Sequence, residues 1–171
     1  MKRNEGFTLI ELISVIIILG ILASTAGGLF ATKENFEASV LKNQLLSSFR
    51  LSQQLALSRQ NLSTSVPVSL IIAQTSDEWT FTIWDSNPAG VGNTAFDTSS
   101  VERSSATLRF STSDFATACS GLSSSTSYTV SFDGDGNLLS GGQLRVCAVG
   151  EQTYQLCVSS LGFAYEGNTC L

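Results

Sequence analysis

Glu11 is the residue of this 171-residue chain whose position most demands a chemical reason. It is the only ionisable side chain from Phe7 to Phe30, in the run FTLIELISVIIILGILASTAGGLF. A carboxylate held in hydrocarbon is disfavoured by about 3 kcal/mol or more, so one kept there calls for a named partner. A cut after Gly6 would supply it, because the new α-amine of Phe7 is then a cation among apolar side chains. Meeting Glu11 of a neighbouring subunit, that amine would neutralise two charges that are each costly alone.

Other chemistries are poorly supplied. The chain has no histidine, which removes the commonest general base and the commonest metal ligand together. A Ser-His-acid triad is therefore excluded. Outside the first residues the only lysines are Lys33 and Lys42, and no glycine-rich phosphate loop contains either. The chain is expected not to be an enzyme and to use no cofactor. With 14 acidic and 9 basic residues the net charge is −5, which disfavours a polyanion such as nucleic acid as partner. Asp133-Gly134-Asp135-Gly136-Asn137 alternates oxygen side chains, which makes Asp133, Asp135 and Asn137 weak calcium candidates. The twelfth position of such a loop needs an acid and here is Leu144, and a glycine-rich β-turn explains the same residues.

Four cysteines, Cys119, Cys147, Cys157 and Cys170, lie in the second half. Their even number suits two disulfides in an oxidising compartment. None lies within about five residues of another, as a zinc-binding pair would. Three pairings are open. A hairpin turning near Gly150-Glu151-Gln152 would set Cys147 across from Cys157 and leave Cys119 for Cys170.

The elements that must position these groups follow from periodicity. Twenty-odd residues from Phe7, at about 1.5 Å each, cover a bilayer core. Lys2 and Arg3 in front predict a cytoplasmic N-terminus and an exported remainder. An ordinary signal peptide cut near Ala23-Ser24-Thr25-Ala26 is the alternative, and Glu11 counts against it. Residues 31–62 predict an amphipathic helix with Phe36, Val40, Leu41, Leu45, Phe49 and Leu55 on its apolar stripe, packed on the chain's own sheet. Predicted strands are Val66 to Ile72, Trp79 to Trp84, Ala106 to Phe110, Tyr128 to Phe132, Gln143 to Val149 and Tyr154 to Ser159. Asp85 to Ser105, with Pro88, Gly90 and Gly92, predicts a long surface connection, and Ser120 to Ser127 a second flexible loop. The class is α+β, a long N-terminal helix against an antiparallel sheet, with 63–171 as a disulfide-containing β-rich domain.

Gly6-Phe7-Thr8-Leu9-Ile10-Glu11, behind a short basic leader and ahead of the apolar run, resembles the prepilin peptidase recognition motif of type IV pilins and type II secretion pseudopilins. The resemblance implies that 1–6 is a cleaved leader, with cleavage between Gly6 and Phe7 and N-methylation of Phe7. It implies that 7–30 is the transmembrane and assembly helix, with the Phe7 amine and Glu11 setting subunit register. Many filament-forming members carry a helix-kinking proline where this chain has Ala26-Gly27-Gly28. Each glycine weakens a helix by roughly 1 kcal/mol, so local melting on packing is one expectation and close helix packing the other.

Three weaker features resemble the GspH/FimT group of minor pilins and pseudopilins. They are Leu51 to Asn61 at the helix end, the Phe132-Asp133 turn through Gly136, and Val146-Cys147 with Cys170 at the tail. The last implies a Cys147–Cys170 disulfide and leaves Cys119–Cys157. Within the group the chain looks most like minor pilins of the mannose-sensitive haemagglutinin type. The implied partners are other pilin subunits and minor pilins, the prepilin peptidase and an inner-membrane assembly platform. The implied place is the bacterial inner membrane, with the domain periplasmic, and then a filament. The expected role is a minor pilin that initiates or caps a type IV pilus and supports surface attachment. The alternatives are a GspH-like pseudopilin, a DNA-uptake receptor, and a glycan or surface adhesin using Trp84 and the Asp85 to Ser105 segment. Some group members bind DNA through C-terminal arginines, but after Cys147 this chain has no Lys or Arg, and Leu161-Gly162-Phe163-Ala164 stands in that region.

Overall fold

The apolar run folds as helix α1, Leu9–Phe30. A computed structural model describes residues 8–30, 33–60, 67–85, 94–103 and 105–170, with side chains left out at 24–35, 85 and 94. The chain divides into two units, one through Lys33 and one from Glu34 onward. In α1 every described side chain from Leu9 to Ala23 is exposed, on all faces. Such a helix has no core of its own to pack on. Gly27 and Gly28 lie within the helical stretch. Among the described residues no helix is long and apolar enough to cross a membrane, and the described side chains of α1 end at Ala23. The expected continuity of one long helix falls on residues 31–32, outside the described residues.

The second unit is built on α2, Lys33–Leu57. Ala38, Leu41, Leu45, Phe49, Ser52 and Ala56 recur at three- and four-residue steps and are fully buried, the spacing of one helical face. This stripe corrects the sequence-based one. Phe36 is 70% exposed, and Val40 and Leu55 are only half-buried. The face is set by the small residues Ala38 and Ala56, which a count of large apolar residues overlooks. The helix ends in tightened turns, with the Arg59 amide donating to the Ala56 carbonyl and the Gln60 amide to Leu57.

Two four-stranded antiparallel sheets complete the unit. The first has strand order β3-β2-β1-β5, from β1 Val68–Gln74, β2 Glu78–Asp85, β3 Thr94–Glu102 and β5 Ser127–Phe132. The second has order β4-β6-β7-β8, from β4 Thr107–Ser111, β6 Leu144–Val149, β7 Thr153–Val158 and β8 Ala164–Glu166. Alternation assigns the inner faces. In the first sheet Leu70 stands opposite both Ile83 and Val130, and Ile72 opposite Phe81. In the second, Val146 stands opposite Leu156, and Leu108 opposite Ala148. These residues and the α2 stripe form one core, with Trp79 and Phe132 at 0% exposure. This is the α+β arrangement that the sequence pattern predicts.

Polar clamps fix α2 over the sheets. The buried Glu37 carboxylate accepts from the Ser105 and Ala106 amides at 2.9 and 3.2 Å. The Lys42 ammonium meets the Glu166 carboxylate at 2.9 Å and lies over the Tyr154 ring. The Gln44 side chain donates to the Ser99 hydroxyl at 2.6 Å. Phe110 of β4 and Tyr128 of β5 stack with ring centroids 4.3 Å apart, joining the two sheets.

Two sequence expectations are corrected here. The segment Asp85 to Ser105 is not all connection, since β3 occupies Thr94–Glu102 and pairs with β2 along its length. Its residues are mostly exposed and rich in Ser and Thr, so no buried alternation marks it; pairing at the sheet edge makes it a strand. Ser120 to Ser127 is likewise ordered. A 3-10 turn covers Cys119–Gly121, Ser124 bridges to Arg109, and β5 starts at Ser127.

Candidate assembly site

At the start of α1 the described part of the site begins with Thr8. Its carbonyl accepts from the amides of Glu11 and Leu12 at 3.1 and 3.3 Å, and its hydroxyl oxygen accepts the Glu11 amide at 3.4 Å. Thr8 thus caps the helix, and Glu11 takes the third helical position, the spacing of a capping box. The Thr8 hydroxyl also lies 3.5 Å from the Glu11 carboxylate. A carboxylate in a first turn is favoured by the N-terminal end of the helix dipole. Thr8 was missed as a site residue, although Thr-x-x-Glu ahead of an apolar run is legible in the sequence. Glu11 is exposed, so its carboxylate is available to a group from outside the chain. Gly6 and Phe7 lie outside the described residues, and with them the Phe7 amine.

The disulfides differ from the predicted pairing. Cys119 joins Cys147, and Cys157 joins Cys170; neither Cys147–Cys170 nor Cys119–Cys157 forms. The reason is register. Cys147 stands opposite Gln155, and Cys157 opposite Arg145, so the two strand cysteines are offset along the outer face of the second sheet. This offset also rules out the hairpin pairing of Cys147 with Cys157. The segment between β4 and β5 crosses that face and brings Cys119 to Cys147. The tail after β8 returns and brings Cys170 to Cys157.

Beneath the crossing segment lie two arginines on the same sheet face. Arg145, 4% exposed, donates to the Thr117 carbonyl at 2.6 Å and to the Gln155 side chain at 2.8 Å. Arg109 donates to the carbonyls of Ser120 and Leu122. Guanidinium donors matched to backbone carbonyls hold the segment as a strap. The strap's first turn is closed by Asp114. Its carboxylate accepts from the Thr117 hydroxyl and amide and from the Ala116 amide, which holds it below the usual carboxylate range.

The calcium candidates are engaged in a turn. One Asp133 carboxylate oxygen accepts from the Asp135 and Asn137 amides at 3.0 and 2.8 Å, and the other from the Asn137 side chain. Asp135 accepts from Gln60 at 2.7 Å. Gly136 has φ of 77°, which the turn requires. No group of three His, Cys, Asp or Glu suited to a metal occurs among the described residues. Trp84 is half-buried where the β2–β3 register shifts and Phe96 is the extra residue of β3, and Leu161 and Phe163 are exposed and apolar at 60% and 62%.

Residues 1–27 match the family described as a prokaryotic N-terminal methylation motif. Residues 42–162, most of the second unit, match the family described as type II transport protein GspH. No curated protein and no solved structure gives a match.

Proposed function

The chain belongs to the family of the type II transport protein GspH, pilin- or pseudopilin-type subunits, and from that premise we propose that it is a minor pilin of a type IV pilus. In this reading the prepilin peptidase cuts between Gly6 and Phe7, and the new Phe7 amine is methylated. Residues 7–30 anchor the chain in the inner membrane, with the domain on the periplasmic side, as Lys2 and Arg3 favour. The chain then enters a filament, where it initiates or caps the assembly and supports attachment to surfaces.

One observation carries this reading. Glu11 stands exposed in the first turn of a helix whose described side chains, Leu9 to Ala23, are otherwise uncharged and almost all apolar, and it lies within the matched methylation motif. Pairing with the Phe7 amine of an adjacent subunit removes two desolvated charges at once. The lateral apolar surface of α1 is covered by other α1 helices in the same step.

Glu11→Ala tests it. Processing and membrane level should be unchanged, while incorporation into filaments falls by about tenfold or more. Normal incorporation would count against the mechanism. N-terminal sequencing of the cellular protein should start at Phe7, and a start at Met1 or beyond Thr25 would refute the processing. The family's own description favours a second reading, a minor pseudopilin of a type II secretion system. Deletion of the gene separates the two: loss of surface fibres supports the pilin, and loss of exoprotein secretion supports the pseudopilin.

A further inference from the structure

Among the described residues beyond α1, the exposed large apolar side chains are Phe36, Phe96, Leu57, Leu139, Leu161 and Phe163. The last four share one end of the domain. Leu57 is the last residue of α2, about 36 Å along the helix from its first residue. Gln53, one turn earlier, donates to the Leu161 carbonyl at 2.9 Å and to the Gly136 carbonyl at 3.3 Å. The Leu138 amide donates to the Ser160 carbonyl at 2.9 Å, and Leu139 follows on the same turn. The helix end, the 133–142 turn and the 159–163 loop therefore form one surface.

That surface is built and not loose. Gly162 has φ of 83°, and a Cβ there would overlap the Gly136 carbonyl oxygen. A Cβ on Gly136 would lie 2.9 Å from the Leu57 side chain. The Phe163 amide is held by the Ser159 hydroxyl at 3.2 Å. Pinned loops presenting exposed Leu and Phe are preorganised for contact. The 159–163 loop carries no charged residue, and Asp133 and Asp135 of the adjoining turn are engaged in hydrogen bonds at its edge, the arrangement of an apolar centre with a polar rim.

We infer that this end, formed by Leu57, Leu139, Leu161 and Phe163, seats the globular domain of a neighbouring pilin-type subunit in the filament. The area selects the occupant. These side chains expose on the order of 400 Å², about half of what each partner contributes to a stable free-standing complex. A partner held by this patch alone would dissociate readily. A subunit already held by α1 packing would not, because the second contact is then intramolecular in effect. The inference rests on the assembly role proposed above and adds the surface and the occupant.

The test uses the full-length chain in cells that make the filament. A photo-cross-linking amino acid at position 163 should give a light-dependent adduct with a pilin-type subunit, and Glu11→Ala should abolish it. An adduct with a protein outside the filament, or one that persists with Glu11→Ala, overturns the inference. So does normal incorporation with no adduct. As a second arm, Leu161→Asp with Phe163→Asp should lower incorporation by about tenfold at unchanged protein level and unchanged thermal midpoint. If this variant incorporates normally while Glu11→Ala does not, the patch is refuted and the assembly role stands. If Glu11→Ala also incorporates normally, the assembly role itself is refuted.

Discussion

At the scale of single residues, position decides more than type. Glu11 is conspicuous because nothing else between Phe7 and Phe30 ionises, and Thr8 three residues earlier is legible as its cap. Gly162 is not legible, because only the fold brings the Gly136 carbonyl against it. Gly162→Ala combines a left-handed backbone with a clash and is expected to destabilise by about 2 to 3 kcal/mol. Gly141→Ala, at φ of 69° with open space around it, should cost about 1 kcal/mol. Denaturant midpoints of the two variants give the difference, and equal losses would remove the steric part of the argument. Asp114 has a folded-state pKa lowered by its hydrogen bonds to Thr117. Its contribution is then fully present above the unfolded value near 3.9 and is lost as pH falls through the lower folded value. An NMR titration of Asp114 should show that midpoint below the usual carboxylate range, and Thr117→Val should raise it.

At the scale of elements, the buried strands were readable and the exposed edge strand β3 was not. Trp79, Phe81 and Ile83 alternate inward as their period predicts. β3 escaped because an edge strand with Ser and Thr on both faces has no burial signal of its own. The α2 face was misread at Phe36 because apolar size was taken as a proxy for burial, while Ala38 does the packing. An edge strand exposes one side of its backbone, so amide exchange in β3 is expected to be faster than in β1, which is flanked on both sides. Equal protection of the two strands would mean that another segment or chain covers β3.

For the whole molecule, the disulfides show how far one-dimensional reasoning reaches. Closing the 28-residue separation between Cys119 and Cys147 should stabilise by about 3 to 4 kcal/mol. Removing that pair also frees the strap from Arg109 and Arg145, so replacing both cysteines with alanine should cost more than the same change at Cys157 and Cys170. Unfolding of the two double variants would show it, and the reverse order would mean that the strap is held without its bridge. Composition, charge pattern and spacing by themselves determined the α+β class of the fold and marked Glu11 as the lone acid of the N-terminal apolar run. Those properties depend on residues close together in the chain or on bulk chemistry. The disulfide pairing, the edge strand, the placing of Arg109 and Arg145 under the strap and the apolar end of the domain were decided only in three dimensions. Each depends on which segments a register or a crossing brings together, and register is set by the simultaneous burial of many side chains far apart in sequence.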